Sequence, residues 1–278
     1  SQGEFTVDRP DKVPLHWNVP VIAMVNGHAP ARSIVDGNTS MTLEGCGPVV
    51  VNAGQSGYYR TLYAPAAFQS LRNDFARLAP IDQLGLMSDA WALGLAGDQP
   101  ASDILDLIAA LPADAEPQVW GRAASAFESI DDYYKDDPAR RDRFRAFAVP
   151  RLQPQLQRLG WAPRAGEADG DAILRTGIIG ALAGLGDAAT IAEAKRRYAA
   201  MQGGDKSAVA PSLRKTVLGI VAEYATPAEW DALHAAAQAE KTALIKDQYY
   251  YMLAAAEDEA LARRALELDR RNPDYLNT

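Results

Sequence analysis

The sequence predicts a small antiparallel β-sandwich followed by a larger all-α domain of stacked antiparallel helix pairs, an irregular α-solenoid of the HEAT/armadillo kind. Three observations carry this reading. Up to about residue 64 the apolar positions recur every second residue, and Val, Pro and Gly are frequent. From Pro65 onward they recur every three or four residues, and Ala and Leu dominate. The change of period falls on residues 52–63 (NAGQSGYYRTLY), which read as the last strand of the β part and the hinge into the helices. The expected domains are therefore 1–64 and 65–278, with a candidate sub-boundary in the Gly- and Pro-bearing loop 160–170.

In the β part, Leu15, Trp17, Val19, Val21, Ala23 and Val25 alternate with His16, Asn18, Pro20, Ile22 and Met24, which predicts one strand over 15–25. Pro20 cannot donate to a ladder, so the strand is expected to be bulged or unpaired on that side. Asp36-Gly37, between Ser33-Ile34-Val35 and Met41-Thr42-Leu43, predicts a hairpin turn. Gly45-Cys46-Gly47-Pro48 breaks the chain, and Val49-Val50-Val51 predicts a short buried strand. About six short strands are expected, and a sandwich of about 60 residues is marginal without a neighbour to pack on. In the hinge, Tyr58, Arg60 and Leu62 share a face; with that face covered, the guanidinium needs a carboxylate or carbonyl partner, and Tyr58 is expected to be buried.

The helical stripes follow in order. Leu84, Met87, Trp91 and Leu95 line one side of a helix and Leu86, Ala90 and Leu93 another, placing it in an inner layer. Ile104, Leu107, Ile108 and Leu111 precede Pro112, and Trp120, Ala123, Ala124, Phe127 and Ile130 form the next stripe. Phe144, Phe147, Leu152, Leu156 and Leu159 continue, with interruptions expected at Pro150 and Pro154. Leu174, Ile178, Ala181, Leu182 and Leu185 end at Gly186, and Leu213, Val217, Ile220, Val221 and Tyr224 follow Pro211. Thr226-Pro227-Ala228-Glu229 is a capping box. The last stripes are Leu244, Ile245, Gln248, Tyr249 and Met252, then Leu261, Ala265 and Leu268. The segment 265–273 has a tetratricopeptide flavour but no 34-residue period supports it.

No chemistry is concentrated anywhere. The three histidines, His16, His28 and His234, never stand four apart, so no helix face offers paired zinc ligands. His234 shares a face with Trp230, Leu233 and Ala237 and reads as a satisfied core or interface residue. Lone Cys46 excludes an internal disulfide and reads as a buried or inert thiol. Gly54-Gln55-Ser56-Gly57 lacks the spacing of a nucleophile elbow and the ending of a phosphate loop. Asp131-Asp132 and Asp136-Asp137 do not match a calcium loop, and the arginines at 140, 141, 143 and 145 are expected to face solvent or pair with them. No catalytic and no metal-binding residue is assigned. A net charge of −8 argues against nucleic acid or an anionic membrane as partner. No apolar run suits a transmembrane helix, and the first residues show no signal peptide.

The hinge, Asn52-x-x-x-x-Gly57-Tyr58-Tyr59-Arg60-x-x-Tyr63, resembles a signature of the M1 family of zinc aminopeptidases. Collinear matches extend the resemblance. They are Gln2-x-x-Phe5, Trp17-x-Val19-Pro20-Val21, Asp82, Asp89-Ala90, Leu95-Ala96-Gly97, Pro117-x-Val119-Trp120 and Ile130-Asp131-x-x-Tyr134. Leu159-Gly160-Trp161, Gly166-Glu167, Leu174-Arg175 and Leu185-Gly186-Asp187 continue the series. The resemblance implies the non-catalytic C-terminal region of such an enzyme, which caps the active site and limits peptide access. It implies zinc and peptide substrates for the parent enzyme and no cofactor here, because the family's Gly-x-Met-Glu-Asn and His-Glu-x-x-His motifs are absent. The implied partner is an upstream catalytic domain of the same polypeptide, and a segment cut from it is expected to self-associate. The rival reading is a stand-alone helical-repeat scaffold that binds a protein partner.

Overall fold

A computed structural model describes residues 16–271. The matches at Gln2 and Phe5, Leu15 of the first strand and the chain beyond 271 lie outside the described residues. The chain divides into two compact units, 1–126 and 127–278.

The first unit opens with a three-stranded antiparallel sheet in the order β2-β1-β3, formed by β1 (Asn18–Val25), β2 (Ala31–Asp36) and β3 (Val49–Val51). This is one sheet of three strands among the described residues, where about six strands were expected. Ala23 and Val25 of β1 and Val50 of β3 are buried, so the alternation selects the inner face. Pro20 pairs with Ile34 on β2, while β3 covers only 23–25; β1 is therefore single-sided where its proline sits.

Two sequence expectations fail here. The turn that joins β1 to β2 is Asn26-Gly27, closed by His28 N–H on the Val25 carbonyl at 2.9 Å, with Gly27 at φ 85. That is the third position of a tight turn, where glycine is favoured. Asp36-Gly37 turns the chain without a hairpin, because Met41-Thr42-Leu43 forms no strand. Residues 52–63 also form no strand; a 3₁₀ turn at Ala53–Gln55 replaces it.

Three helices follow, α1 (Pro65–Asn73), α2 (Pro80–Leu95) and α3 (Asp103–Ala109), and α4 (Pro117–Tyr133) carries the division between the units. Proline opens α1, α2 and α4, where its missing N–H costs nothing. Buried positions surround α2 from Asp82 to Leu93, as its two stripes predict, although Leu95 is exposed.

The second unit continues with α5 (Pro138–Leu159), α6 (Asp169–Gly184), α7 (Ala188–Gln202), α8 (Arg214–Glu223), α9 (Pro227–Ala239), α10 (Ala243–Ala254) and α11 (Glu259–Arg271). Each helix from α5 packs on its successor, and α8 also touches α6 and α10. α5 runs unbroken through Pro150 and Pro154, against expectation. Both prolines lie on its exposed side, so the carbonyls they free face water, while Phe144, Ala148, Leu152 and Leu159 anchor the other side. The α8 and α9 stripes are buried at Val217, Ile220, Val221, Trp230 and Leu233. Leu244 and Ile245 of α10 are exposed instead, and its buried anchor is Leu253. The capping box forms: Glu229 N–H donates to Thr226 Oγ1 and Thr226 N–H to Glu229 Oε2.

Candidate functional site: a loop locked to helix α2

The segment 52–63 is shaped by Asn52. Its backbone is left-handed at φ 60, which asparagine tolerates better than most residues. Its side chain accepts from Gly57 N–H at 2.8 Å and donates to the Gly57 carbonyl at 3.0 Å, so both amide groups are spent curling the loop. Gln55, also left-handed at φ 51, returns its amide to the Asn52 carbonyl at 3.2 Å. Gly85 of α2 lies against Gln55; a Cβ there would fall 2.0 Å from the glutamine side chain.

Two carboxylates of α2 bind this loop. Asp82 accepts from Gly54 N–H at 2.7 Å, and Asp89 accepts from Thr61 N–H at 3.0 Å and Arg60 Nη1 at 3.2 Å. Burial raises the pKa of both acids, and these donors only partly offset it. The loop closes on the sheet through Tyr63, whose hydroxyl is hydrogen-bonded to both backbone groups of Val51. A cavity of about 10 Å³ remains between Val50, Tyr63, Leu86, Asp82 and Asp89, room for no more than one water molecule. Most polar groups of this cluster are therefore spent on each other, although the Thr61 hydroxyl is buried without a hydrogen-bond partner among the described residues. A larger groove of about 490 Å³ runs outside it, along Leu62, Phe68, Arg72 and Asp103.

Arg60 thus finds a carboxylate partner, while the expectation for Tyr58 is overturned. Tyr58, Arg60 and Leu62 all lie on the exposed side, and Tyr58 is fully exposed. The inward residues are their alternates, Tyr59, Thr61 and Tyr63. Alternation separates the two faces but carries no mark of which one is buried.

In the second unit, buried Arg175 of α6 ties down the loop after α5. It donates to Glu167 Oε1 at 2.7 Å, to the Gly160 carbonyl at 3.0 Å and to the Leu159 carbonyl at 3.1 Å. Asp131 accepts from Arg145 at 2.7 Å and from Arg141 at 2.8 Å, and Arg140 pairs with Asp137. Burial alone would raise the pKa of Asp131, but the two guanidinium groups outweigh it and hold it below the usual range.

The titratable candidates lie apart. His16 pairs with Asp36 at 3.0 Å, His28 covers Gly45, and Cys46 is exposed rather than buried. His234 stands between the Trp230 and Tyr250 rings, at 5.4 and 5.9 Å, and its Nε2 has no hydrogen-bond partner among the described residues. Among the described residues no three His, Cys, Asp or Glu side chains gather to hold a metal, so the donor set does not fit zinc. No described helix is on its own long and apolar enough to cross a membrane.

The model of the ERAP1-like C-terminal domain family matches residues 48–270. The chain belongs to that family. Proteins similar to this chain include Aminopeptidase M1-A of Oryza sativa subsp. japonica, 35% identical over 153 residues, which are 54% of this chain and 17% of that protein. Aminopeptidase 2 of Candida albicans is 28% identical over 187 residues, 66% of this chain and 20% of that protein. Puromycin-sensitive aminopeptidase of Caenorhabditis elegans is 26% identical over 236 residues, 78% and 24% of the two. The chain spans about a fifth of the length of the relatives it matches. The aminopeptidase C-terminal domain match takes in the loop, both α2 carboxylates and the Arg175 cluster, and leaves β1 and β2 outside.

Proposed function

We propose that this chain is the non-catalytic C-terminal region of an M1 zinc aminopeptidase, and that it caps the active site and limits access to peptides with a free N-terminus. In this reading residues 1–64 belong to a β-sandwich and 65–278 to an irregular solenoid of antiparallel helix pairs. The catalytic domain precedes them in the same polypeptide and holds the zinc with its own residues. The observation that supports the reading most is the loop 52–63 locked onto α2 by Asp82 and Asp89. A loop held to one helix by two buried carboxylates suits a rigid mount for a cap, and opening and closing of that cap would gate the peptide.

The test is the longer reading frame that contains this chain. Expressed whole, it should hydrolyse aminoacyl-chromogenic substrates and prefer short peptides to long ones. Deletion of 65–278, in protein that stays soluble and keeps zinc, should weaken that length preference. Activity with an unchanged length preference would remove the capping role.

A further inference from the structure

Trp230 of α9 gathers the last three helices. Its indole N–H donates to the Leu253 carbonyl of α10 at 3.2 Å. The Arg264 guanidinium of α11 lies 4.3 Å from the centroid of its ring and pairs with Asp231 at 2.6 Å. α8 adds Val217, Ile220 and Val221 to the same buried core. His234, one turn after Trp230, is set into this joint between the Trp230 and Tyr250 rings. Its Nε2 is sealed from solvent and has no hydrogen-bond partner among the described residues. A neutral imidazole can leave only a lone pair there, with Nδ1 carrying the proton. An imidazolium must place a charged N–H where neither water nor an acceptor meets it.

The surrounding charges do not supply the missing acceptor. Arg264 opposes a proton on His234, and Asp231, which favours one, is already spent on Arg264. α10 presents the Tyr250 phenol, with Lys246 one turn before it, and α8 presents apolar side chains. Burial first and Arg264 second draw the pKa of His234 below the ordinary histidine value. Where α8 meets the turn before α11, Glu257 N–H donates to the Glu223 carbonyl, and burial with the charge of Glu257 raises the pKa of Glu223. That acid takes up protons more readily folded, so it tightens the same helices as pH falls and acts against His234.

We propose that His234 is an acid-sensitive latch whose protonation loosens α10 and α11 from α9. Released helices take up the proton at the ordinary value of about 6.5 and closed ones only lower, so the latch is fully closed above that value and weakens as pH falls from it through the depressed one. The latch is built from these helices alone and does not depend on the peptidase reading.

The test is amide hydrogen exchange of the chain, read as protection factors so that the intrinsic effect of pH is removed. Protection in α10 and α11 should fall severalfold between about pH 7 and about pH 5, while α6 and α7 hold theirs. His234→Gln and His234→Phe should both remove that fall, and Glu223→Gln should leave it in place or deepen it. The His234 ring resonances, which need no variant, should titrate below the ordinary histidine range. Protection independent of pH in the parent, the same fall in both His234 variants, or a His234 ring that titrates at the ordinary value would overturn the proposal.

Discussion

The Tyr63 hydroxyl accepts from the Val51 N–H at 2.9 Å and donates to the Val51 carbonyl at 3.3 Å. One side chain thereby does for β3 what a fourth strand would do, and it fastens the loop to the sheet in the same step. Burial pushes the phenol pKa well up, so the hydroxyl stays a donor at all working pH values. Tyr63→Phe leaves both backbone groups without their partner and should cost about 1–3 kcal/mol in urea unfolding, as a lower midpoint at constant slope. Tyr58→Ala, at a fully exposed position, should stay within about 0.5 kcal/mol. Equal losses from the two substitutions would contradict the assignment of faces.

Asn52 combines two roles that substitution can separate. Asn52→Gly keeps the left-handed backbone and removes the two bonds to Gly57, while Asn52→Ala removes the bonds and adds strain at φ 60. The alanine variant should be less stable than the glycine variant by about 1 kcal/mol, and both less stable than the parent by about 1–3 kcal/mol. The reverse order in calorimetry would show that strain at Asn52 is immaterial.

These two residues also mark how far the sequence could be read. Helices were legible because proline starts, the Thr226–Glu229 box and apolar stripes are all local signals. The resemblance picked out Asn52, Gly57, Asp82, Asp89, Glu167 and Arg175, and the structure supplies the reason they belong together. Asp89 meets Thr61 across 28 positions and Asp82 meets Gly54 across 28, distances at which no periodicity carries information. The hairpin was misplaced because Asn26-Gly27 and Asp36-Gly37 both carry the turn signal, and only a following strand decides between them.

Asp131 sets the acid limb of stability. Its pKa is held down by Arg145 and Arg141 in the folded state, so its contribution is present above the ordinary aspartate value of about 3.9 and is lost as pH falls through the depressed one. Asp82 and Asp89 have raised values and act in the opposite direction, gaining protons more readily folded than unfolded. Asp131→Asn should cost about 2–4 kcal/mol at pH 7, and the gap to the parent should narrow as pH falls from the ordinary aspartate value through the depressed one. A gap independent of pH would mean that packing, and not charge, holds Asp131.

The chain carries exposed apolar side chains at Leu62, Ile81 and Leu95 in the first unit and at Ile173, Leu244 and Tyr251 in the second. If neighbouring domains of a larger enzyme cover such faces, residues 1–278 alone should self-associate at micromolar concentration and enhance the fluorescence of hydrophobic dyes. Sedimentation velocity reads this directly. A strictly monomeric, dye-silent chain would favour the stand-alone scaffold.

On the aminopeptidase reading, zinc would separate residues 1–278 from a longer enzyme that contains them. An aminopeptidase site needs three protein ligands, an open position for water and an acidic group for the substrate amine. His16 is engaged by Asp36, His28 lies over Gly45, His234 stacks on Trp230 in the other unit, and Cys46 is exposed on a glycine turn. Residues 1–278 should therefore retain no stoichiometric zinc after dialysis and leave aminoacyl-chromogenic substrates uncleaved, whereas the longer parent should turn them over until a chelator is added. Chelator-sensitive turnover by residues 1–278 that survives repurification would reveal a metal site built from these residues. An inactive, zinc-free parent would instead count against the aminopeptidase reading and leave the fold of the loop and α2 untouched.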